Sequence, residues 1–95
     1  MRYVFPVYTT ITPLKVCKLR SDGKIGDYAT TTGTVIGVAY NDSGVVILNG
    51  IVKGFTNLIE GQLYYYDSNG NITSTGTLLG RAISSTEIYM NNYLF

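Results

Sequence analysis

Histidine, the residue that most often serves as a general base, is absent from this sequence of 95 residues. Its absence excludes the usual zinc ligand and the Ser-His and Cys-His pairs that activate a nucleophile. The single cysteine, Cys17, lies between Val16 and Lys18 in an alternating segment. We expect a buried, unreactive thiol, because Lys18 faces the opposite side of the predicted strand and does not activate it.

The six acidic residues are the remaining groups that could do acid-base chemistry. A glycosidase-like pair needs two carboxylates held across a cleft, one of them with a raised pKa. Asp22, Asp42 and Asp67 instead lie in glycine-containing turn sequences, where aspartate side chains accept hydrogen bonds from nearby backbone amides. The turn at Asp67 has the oxygen-rich start of a calcium loop but lacks the downstream glutamate. We therefore predict no enzyme activity, no cofactor and no metal site.

Charge is low and balanced, with seven basic and six acidic residues and a net charge of +1. Such a chain has no field strong enough to hold nucleic-acid phosphates or an anionic membrane, so we expect neither partner. Only 14% of the residues are charged and 45% are hydrophobic, which favours a protein that covers part of its surface by assembly. Two interpretations remain open for a segment rich in basic residues, namely a solvated edge strand and an electrostatic docking patch. Its four basic residues are Lys15, Lys18, Arg20 and Lys24.

Eleven glycines are spread along the chain and leave no amphipathic window long enough for a helix. Thr, Val, Ile and Tyr fill the intervals, and Asp-Gly and Asn-Gly sequences mark tight turns. We predict a single all-β domain over residues 1–95, a small antiparallel β-barrel or sandwich of about eight short strands. The predicted strands cover residues 2–8, 14–20, 34–40, 45–53, 62–67, 71–74, 78–83 and 86–90.

Two further patterns concern the interior of this fold. Residues 44–52 are apolar on both faces for most of their length, which predicts a central strand covered on both sides. Residues 34–40 and 77–83 share the pattern Thr, two aliphatic residues, Gly, any residue, Ala. Because Gly and Ala have little or no side chain, these positions indicate two related places where two backbones pass closely. The alternative is that a ligand approaches the backbone there. The two copies are too short to establish a duplication.

Tyrosine is unusually frequent, with nine copies and no tryptophan. Tyrosine suits core positions with the hydroxyl at the rim, oligomer interfaces and sugar-stacking platforms, and all three interpretations stay open here. The apolar carboxyl-terminal tail either forms a last strand or, as we favour, docks on a neighbouring subunit. The candidate interface residues are Tyr64, Tyr65, Tyr66, Tyr93, Leu94 and Phe95.

An ordered series of motifs between Gly33 and Met90 resembles a β-module of tailed-phage and related virion proteins, namely head-decoration proteins, head fibres and tail fibres. The motifs are Ile36-Gly37-Val38-Ala39, Gly50-x-Val52-x-Gly54-Phe55-x-x-Leu58, Gly61-x-x-Tyr64-Tyr65, Gly70-x-Ile72-Thr73 and Leu79-Gly80-Arg81-Ala82-Ile83-Ser84-x-Thr86-Glu87-Ile88. The resemblance implies a small β-barrel, often trimeric, that decorates or stabilises a virus particle. It divides the chain into a less typical part (1–32), a module-like part (33–90) and the apolar tail (91–95).

The resemblance and the composition together predict a structural protein of a virion that decorates or stabilises the capsid, or forms part of a vertex or fibre, by protein–protein binding. A lone cysteine and the lack of a secretion-type leader predict folding in a reducing host cytoplasm, followed by incorporation into the virion. The expected partners are further copies of the chain, as a trimer, and the major capsid protein or another virion protein. The alternative is a receptor- or glycan-binding module of a head or tail fibre, with the tyrosine cluster as its platform.

Overall fold

The computed structural model describes residues 2–90, which form two antiparallel five-stranded sheets packed as a sandwich. Sheet 1 contains β1 (Arg2–Val4), β2 (Val16–Leu19), β3 (Ile25–Asp27), β4 (Thr34–Ala39) and β5 (Val45–Ile47). Sheet 2 contains β6 (Gly50–Lys53), β7 (Leu63–Tyr66), β8 (Ile72–Thr73), β9 (Thr77–Ala82) and β10 (Glu87–Met90). A single 3-10 turn, Tyr28–Thr30, precedes β4. The all-β prediction is confirmed, with a sandwich rather than a closed barrel.

The predicted central strand over residues 44–52 is wrong. The chain leaves β5 after Ile47, turns at Gly50 with a φ of 100°, and enters the other sheet as β6. β5 lies inside sheet 1 between β1 and β4, whereas β6 is an edge strand that pairs only with β10. The apolar run therefore joins two strands of different sheets. The glycine supplies a left-handed backbone conformation that other residues adopt only at a cost.

The two sheets have the same topology. Counted from the start of each half, the strand order is first-fifth-fourth-second-third in both. Cys17 lies opposite Gly37 in sheet 1, and Tyr64 lies opposite Gly80 in sheet 2. In both pairings the register shifts directly after these positions, so the same β-bulge occurs at the same place in each sheet.

Hydrogen bonds outside the strands repeat in the same way. The N–H of Leu14 donates to the carbonyl of Ala39 at 2.7 Å, and that of Gly61 donates to Ala82 at 2.7 Å. Leu14 and Gly61 both have a positive φ, 63° and 86°. The domain therefore consists of two structurally equivalent halves, residues 2–47 (the first half) and residues 50–90 (the second half). The sequence pattern shared by residues 34–40 and 77–83 lies in the fourth strand of each half and does not extend to the other strands.

An inner apolar layer joins the two halves. It contains Val16, Val38 and Ile47 of sheet 1 with Val52, Tyr66, Leu79, Ile88 and Met90 of sheet 2. Fully burying one such side chain contributes roughly 1.5–3 kcal/mol. Because a small domain has a net stability of only about 5–15 kcal/mol, each residue in this layer matters to the stability of the whole domain.

An outer layer lies on the opposite side of sheet 1 and contains Ile11, Cys17, Ile25, Ile36, Ala39 and Val46. The loop that carries Ile11 is held there by Asp27. The carboxylate of Asp27 accepts hydrogen bonds from the N–H and the hydroxyl of Thr12 at 2.8 and 2.7 Å. Sheet 1 is thus covered on both faces, since the second half covers one and its own loop covers the other.

Glycines in the fourth strands are required by close backbone approach. A Cβ atom at Gly37 would collide with the carbonyl oxygen of Ile47, and one at Gly80 would collide with that of Tyr89. The interpretation of the repeated Gly pattern as two close backbone contacts is confirmed.

Candidate protein interface

The predicted tyrosine cluster lies on β7, where it contributes largely to the core. Tyr66 is buried and contacts Tyr28 edge to face, with ring centroids 5.6 Å apart. Burial raises the pKa of the Tyr66 hydroxyl, because the phenolate is poorly solvated there. Tyr64 is half-buried, and its hydroxyl accepts a hydrogen bond from the N–H of Ile59 at 2.9 Å. Tyr65, on the other face of β7, is also half-buried.

The role of this cluster in an interface stays a prediction. Tyr66 is covered by the inner layer, so Tyr64 and Tyr65 are the members with surface to offer a partner. Tyr93, Leu94 and Phe95, which complete the predicted interface, lie outside the described residues.

Sequence reasoning missed two surfaces that expose large apolar side chains on neighbouring strands or at a sheet edge. The outer face of sheet 2 presents Ile51 and Tyr89 at paired positions of β6 and β10. Strand β1, an edge strand, exposes Tyr3 and Val4. Exposed apolar groups on neighbouring strands are typical of protein-binding surfaces. Alternation in the sequence identifies two faces of each strand, but which face stays uncovered depends on how the halves pack.

A groove of about 470 Å³ runs between the edges of the two halves. Its lining combines two cations, one aromatic ring and two aliphatic side chains: Arg2, Lys53, Tyr40, Ile47 and Ile51. The guanidinium carbon of Arg2 lies 4.7 Å from the centroid of the Tyr40 ring, a cation–π geometry that holds both side chains at the groove. Such a lining suits an extended apolar segment or a sugar that carries a negative charge.

The basic segment does not form the predicted edge strand, because β2 lies between β3 and β4 in sheet 1. The Nζ atom of Lys18 lies 4.2 Å from the centroid of the Tyr28 ring. The guanidinium of Arg20 lies 3.4 Å from the centroid of the Tyr8 ring and pairs with Asp22 at 3.1 Å. These cations therefore cover aromatic rings.

Asp67 and Asp22 stabilise turns as the sequence predicts, whereas in the turn at Asp42 the acceptor is Oδ1 of Asn41, which accepts from the N–H groups of Ser43 and Val45. Oδ1 of Asp67 accepts hydrogen bonds from the N–H groups of Asn69 and Asn71 at 2.8 and 3.0 Å. These bonds lower the pKa of the Asp67 carboxyl. Asp22 likewise accepts from the N–H of Lys24, which lowers its pKa. Both carboxylates stay ionised and stabilise turns, which is the opposite of the raised pKa that a general acid needs.

Cys17 is fully buried in the outer layer, with Sγ 3.6 Å from the carbonyl oxygen of Gly37. Burial, together with the nearby charge of Asp27, raises the pKa of the thiol from 9.0 to about 12. The prediction of a buried thiol is confirmed.

We expect a thiol-specific alkylating reagent at pH 8 to label Cys17 only after denaturation, because the folded chain excludes the reagent and disfavours the thiolate. Mass spectrometry of the native and the guanidinium-treated protein measures this. The unfolded thiol ionises near pH 9, so its contribution to stability is complete below that pH and is lost as the pH rises toward 12. Rapid labelling of the native protein would contradict the burial.

Metal binding and membrane spanning are two further properties that residues 2–90 could have. No group of three or more Cys, Asp or Glu side chains in this range could hold a metal ion. No helix within these residues has the length and apolar character needed to cross a membrane.

Comparisons with models of protein families, with curated proteins and with solved structures find no match for this chain.

Proposed function

We propose that this chain is a structural component of a virion that decorates or stabilises the particle surface and acts through protein–protein contact. The resemblance of residues 33–90 to phage decoration and fibre modules supports the class of protein. The observation that carries the mode of action is the outer face of sheet 2, where Ile51 and Tyr89 expose apolar surface at paired positions. A small domain with few charges gains solubility by covering such a face.

The distribution of reactive groups supports a binding role as well. Asp22 and Asp67 are engaged in turns, and Cys17 is buried with a raised pKa. These groups are therefore occupied within the fold, and the apolar outer face of sheet 2 is the surface through which we expect a partner protein to bind.

Quantitative mass spectrometry of purified particles tests this proposal, using the virus whose genome encodes the chain. We expect the chain at a fixed ratio to the major capsid protein, retained after washing in high salt because the contact is apolar. Particles made without its gene should lack it and lose their genome at a lower temperature. Absence of the chain from washed particles would overturn the proposal, and the neighbouring genes give an independent check.

The groove favours one second candidate, a module that binds acidic glycans. Arg2 supplies positive charge beside the Tyr40 ring, and aromatic faces stack against sugars. Lys53 lines the same groove and forms an ion pair with Glu87 at 3.8 Å. A glycan array that contains uronic and sialic acids tests it. Binding that is lost in Tyr40→Ala and kept in Tyr65→Ala would place the site in the groove and not on the predicted tyrosine platform. No signal on the array would end this candidate.

A further inference from the structure

The groove between the two halves lies where the inner face of sheet 1 extends beyond sheet 2. Arg2 and Val4 of β1 point to the same face of sheet 1 as Ile47, because alternate residues of a strand share a face and paired residues lie side by side. Ile47 is 7% exposed in the inner layer, whereas Val4 is 66% exposed. Strand β6, the edge of sheet 2, borders the same groove through Ile51. The inner face of sheet 1 therefore has no cover beyond β6 among the described residues.

The edge of β6 that borders the groove carries backbone groups available to a further strand. Among the described strands, β6 pairs only with β10. Just beyond β6, the N–H of Gly54 donates to the carbonyl of Thr86 at 3.1 Å, in the register of this pairing. Backbone groups of successive residues point alternately to the two sides of an antiparallel strand, so those of Ile51 and Lys53 point to the open edge. An open strand edge is a template for the addition of another strand.

The apolar tail has the composition that a strand in this groove needs. In a strand added to β6, alternate side chains face the inner face of sheet 1 near Val4 and the outer face of sheet 2 beside Ile51. Both surfaces are apolar and exposed, so a segment with consecutive apolar residues matches them. The tail supplies such a segment in Tyr93, Leu94 and Phe95.

The tail of the same chain is poorly placed to line this edge. Met90, the last residue of β10, lies opposite Gly50, on the side of β6 away from the groove. Crossing β6 covers two strand spacings of about 4.8 Å, which takes about three residues at roughly 3.3 Å each. Residues 91–93 are used in that crossing, so the three apolar residues do not all lie beside β6. A tail that arrives from a second copy needs no such crossing and offers all three.

We propose that the tail of one copy adds as a strand to the open edge of β6 in a second copy and fills the groove. Its backbone then pairs with Ile51 and Lys53, and its side chains cover the inner face around Val4. The contact is heterologous, so copies join tail to groove and either close into a ring or extend as a chain. The tail competes with an acidic glycan for the groove. The inference goes beyond the proposed function, because contact between copies does not require a particle.

Proline at position 53 tests the strand addition. Lys53→Pro removes an N–H that points to the open edge, so pairing of β6 with β10 is kept. Lys53→Ala is the matched control, because it also removes the ion pair with Glu87 but keeps the N–H. We expect the unmodified protein and Lys53→Ala to form oligomers as concentration rises. Lys53→Pro should raise the concentration of half-assembly by about tenfold or more, because an intermolecular hydrogen bond is lost and the ring obstructs the added strand. Sedimentation velocity measures this change.

Complementation shows that tail and groove are the two sides of one contact. A tail variant with Leu94→Lys and Phe95→Lys keeps the groove, whereas Lys53→Pro keeps the tail. At a concentration where the unmodified protein assembles, each variant alone should be monomeric. Their mixture should form a 1:1 dimer and nothing larger by light scattering, because one intact contact is left. If Lys53→Pro fails to fold by circular dichroism, Ile51→Pro replaces it, with Ile51→Ala as its control.

Three results would overturn the inference. They are a monomeric unmodified protein up to millimolar concentration, equal assembly of the proline variant and its alanine control, and the absence of a dimer in the mixture. None of them bears on the particle measurement, so failure of the proposed function is detected separately.

Discussion

Replacing Gly37 or Gly80 with alanine is expected to destabilise the domain by about 3 kcal/mol, at the upper end of the cost of overpacking a core. In each case the new methyl group meets a backbone carbonyl oxygen of the adjacent strand, that of Ile47 or that of Tyr89. A backbone carbonyl in a paired strand can move only if the hydrogen-bonded strands move with it. The steric strain is therefore not relieved by rotation of a side chain. Denaturation with urea, followed by circular dichroism, measures the loss.

The matched control is Gly23→Ala, at the turn between β2 and β3. Gly23 has a φ of 84° and no atom within 4 Å of the added Cβ, so this substitution introduces backbone strain without a collision. We expect a cost of about 1 kcal/mol, the penalty of a left-handed conformation. If Gly37→Ala and Gly23→Ala cost the same, the close approach of β4 and β5 is not what requires glycine.

The fold class could be predicted from the sequence because the signals for it are local. Glycine spacing and turn sequences such as Asp22-Gly23 and Asn69-Gly70 depend on the φ preferences of neighbouring residues. The boundary between the sheets could not be predicted in this way. Residues 44–52 are apolar apart from Asn49, and neither periodicity nor composition indicates that Gly50 redirects the chain into the other sheet.

The interface is less accessible to sequence reasoning than the fold. Tyr64, Tyr65 and Tyr66 attract attention because they are consecutive, yet burial of Tyr66 depends on its contact with Tyr28, 38 positions earlier. The exposed face of sheet 2 has no sequence signal of its own, because its paired residues come from different strands. It becomes evident only when the two halves are compared, since Ile47 and Val38, the equivalents of Tyr89 and Arg81, are buried in the inner layer.

Val38 and Arg81 occupy structurally equivalent positions in the two halves. Exchanging their side-chain types is expected to change the stability of the domain by very different amounts. Val38→Arg places a charge in the inner layer, where Val38 is 0% exposed. An uncompensated buried charge costs roughly 3–5 kcal/mol, which is most of the stability of a small domain. We expect this variant to be largely unfolded at 25 °C by circular dichroism.

Arg81→Val, the reciprocal change, replaces an exposed side chain beside Tyr89 on the outer face of sheet 2. It removes the hydrogen bond from Nη1 of Arg81 to the carbonyl of Gly61 at 2.6 Å, so a loss of about 1 kcal/mol or less is expected. It also enlarges the exposed apolar surface around Ile51 and Tyr89, and self-association should therefore increase in sedimentation velocity. Equal stability losses in Val38→Arg and Arg81→Val would contradict the packing of the halves, in which the face with Val38 is covered and the equivalent face with Arg81 is exposed.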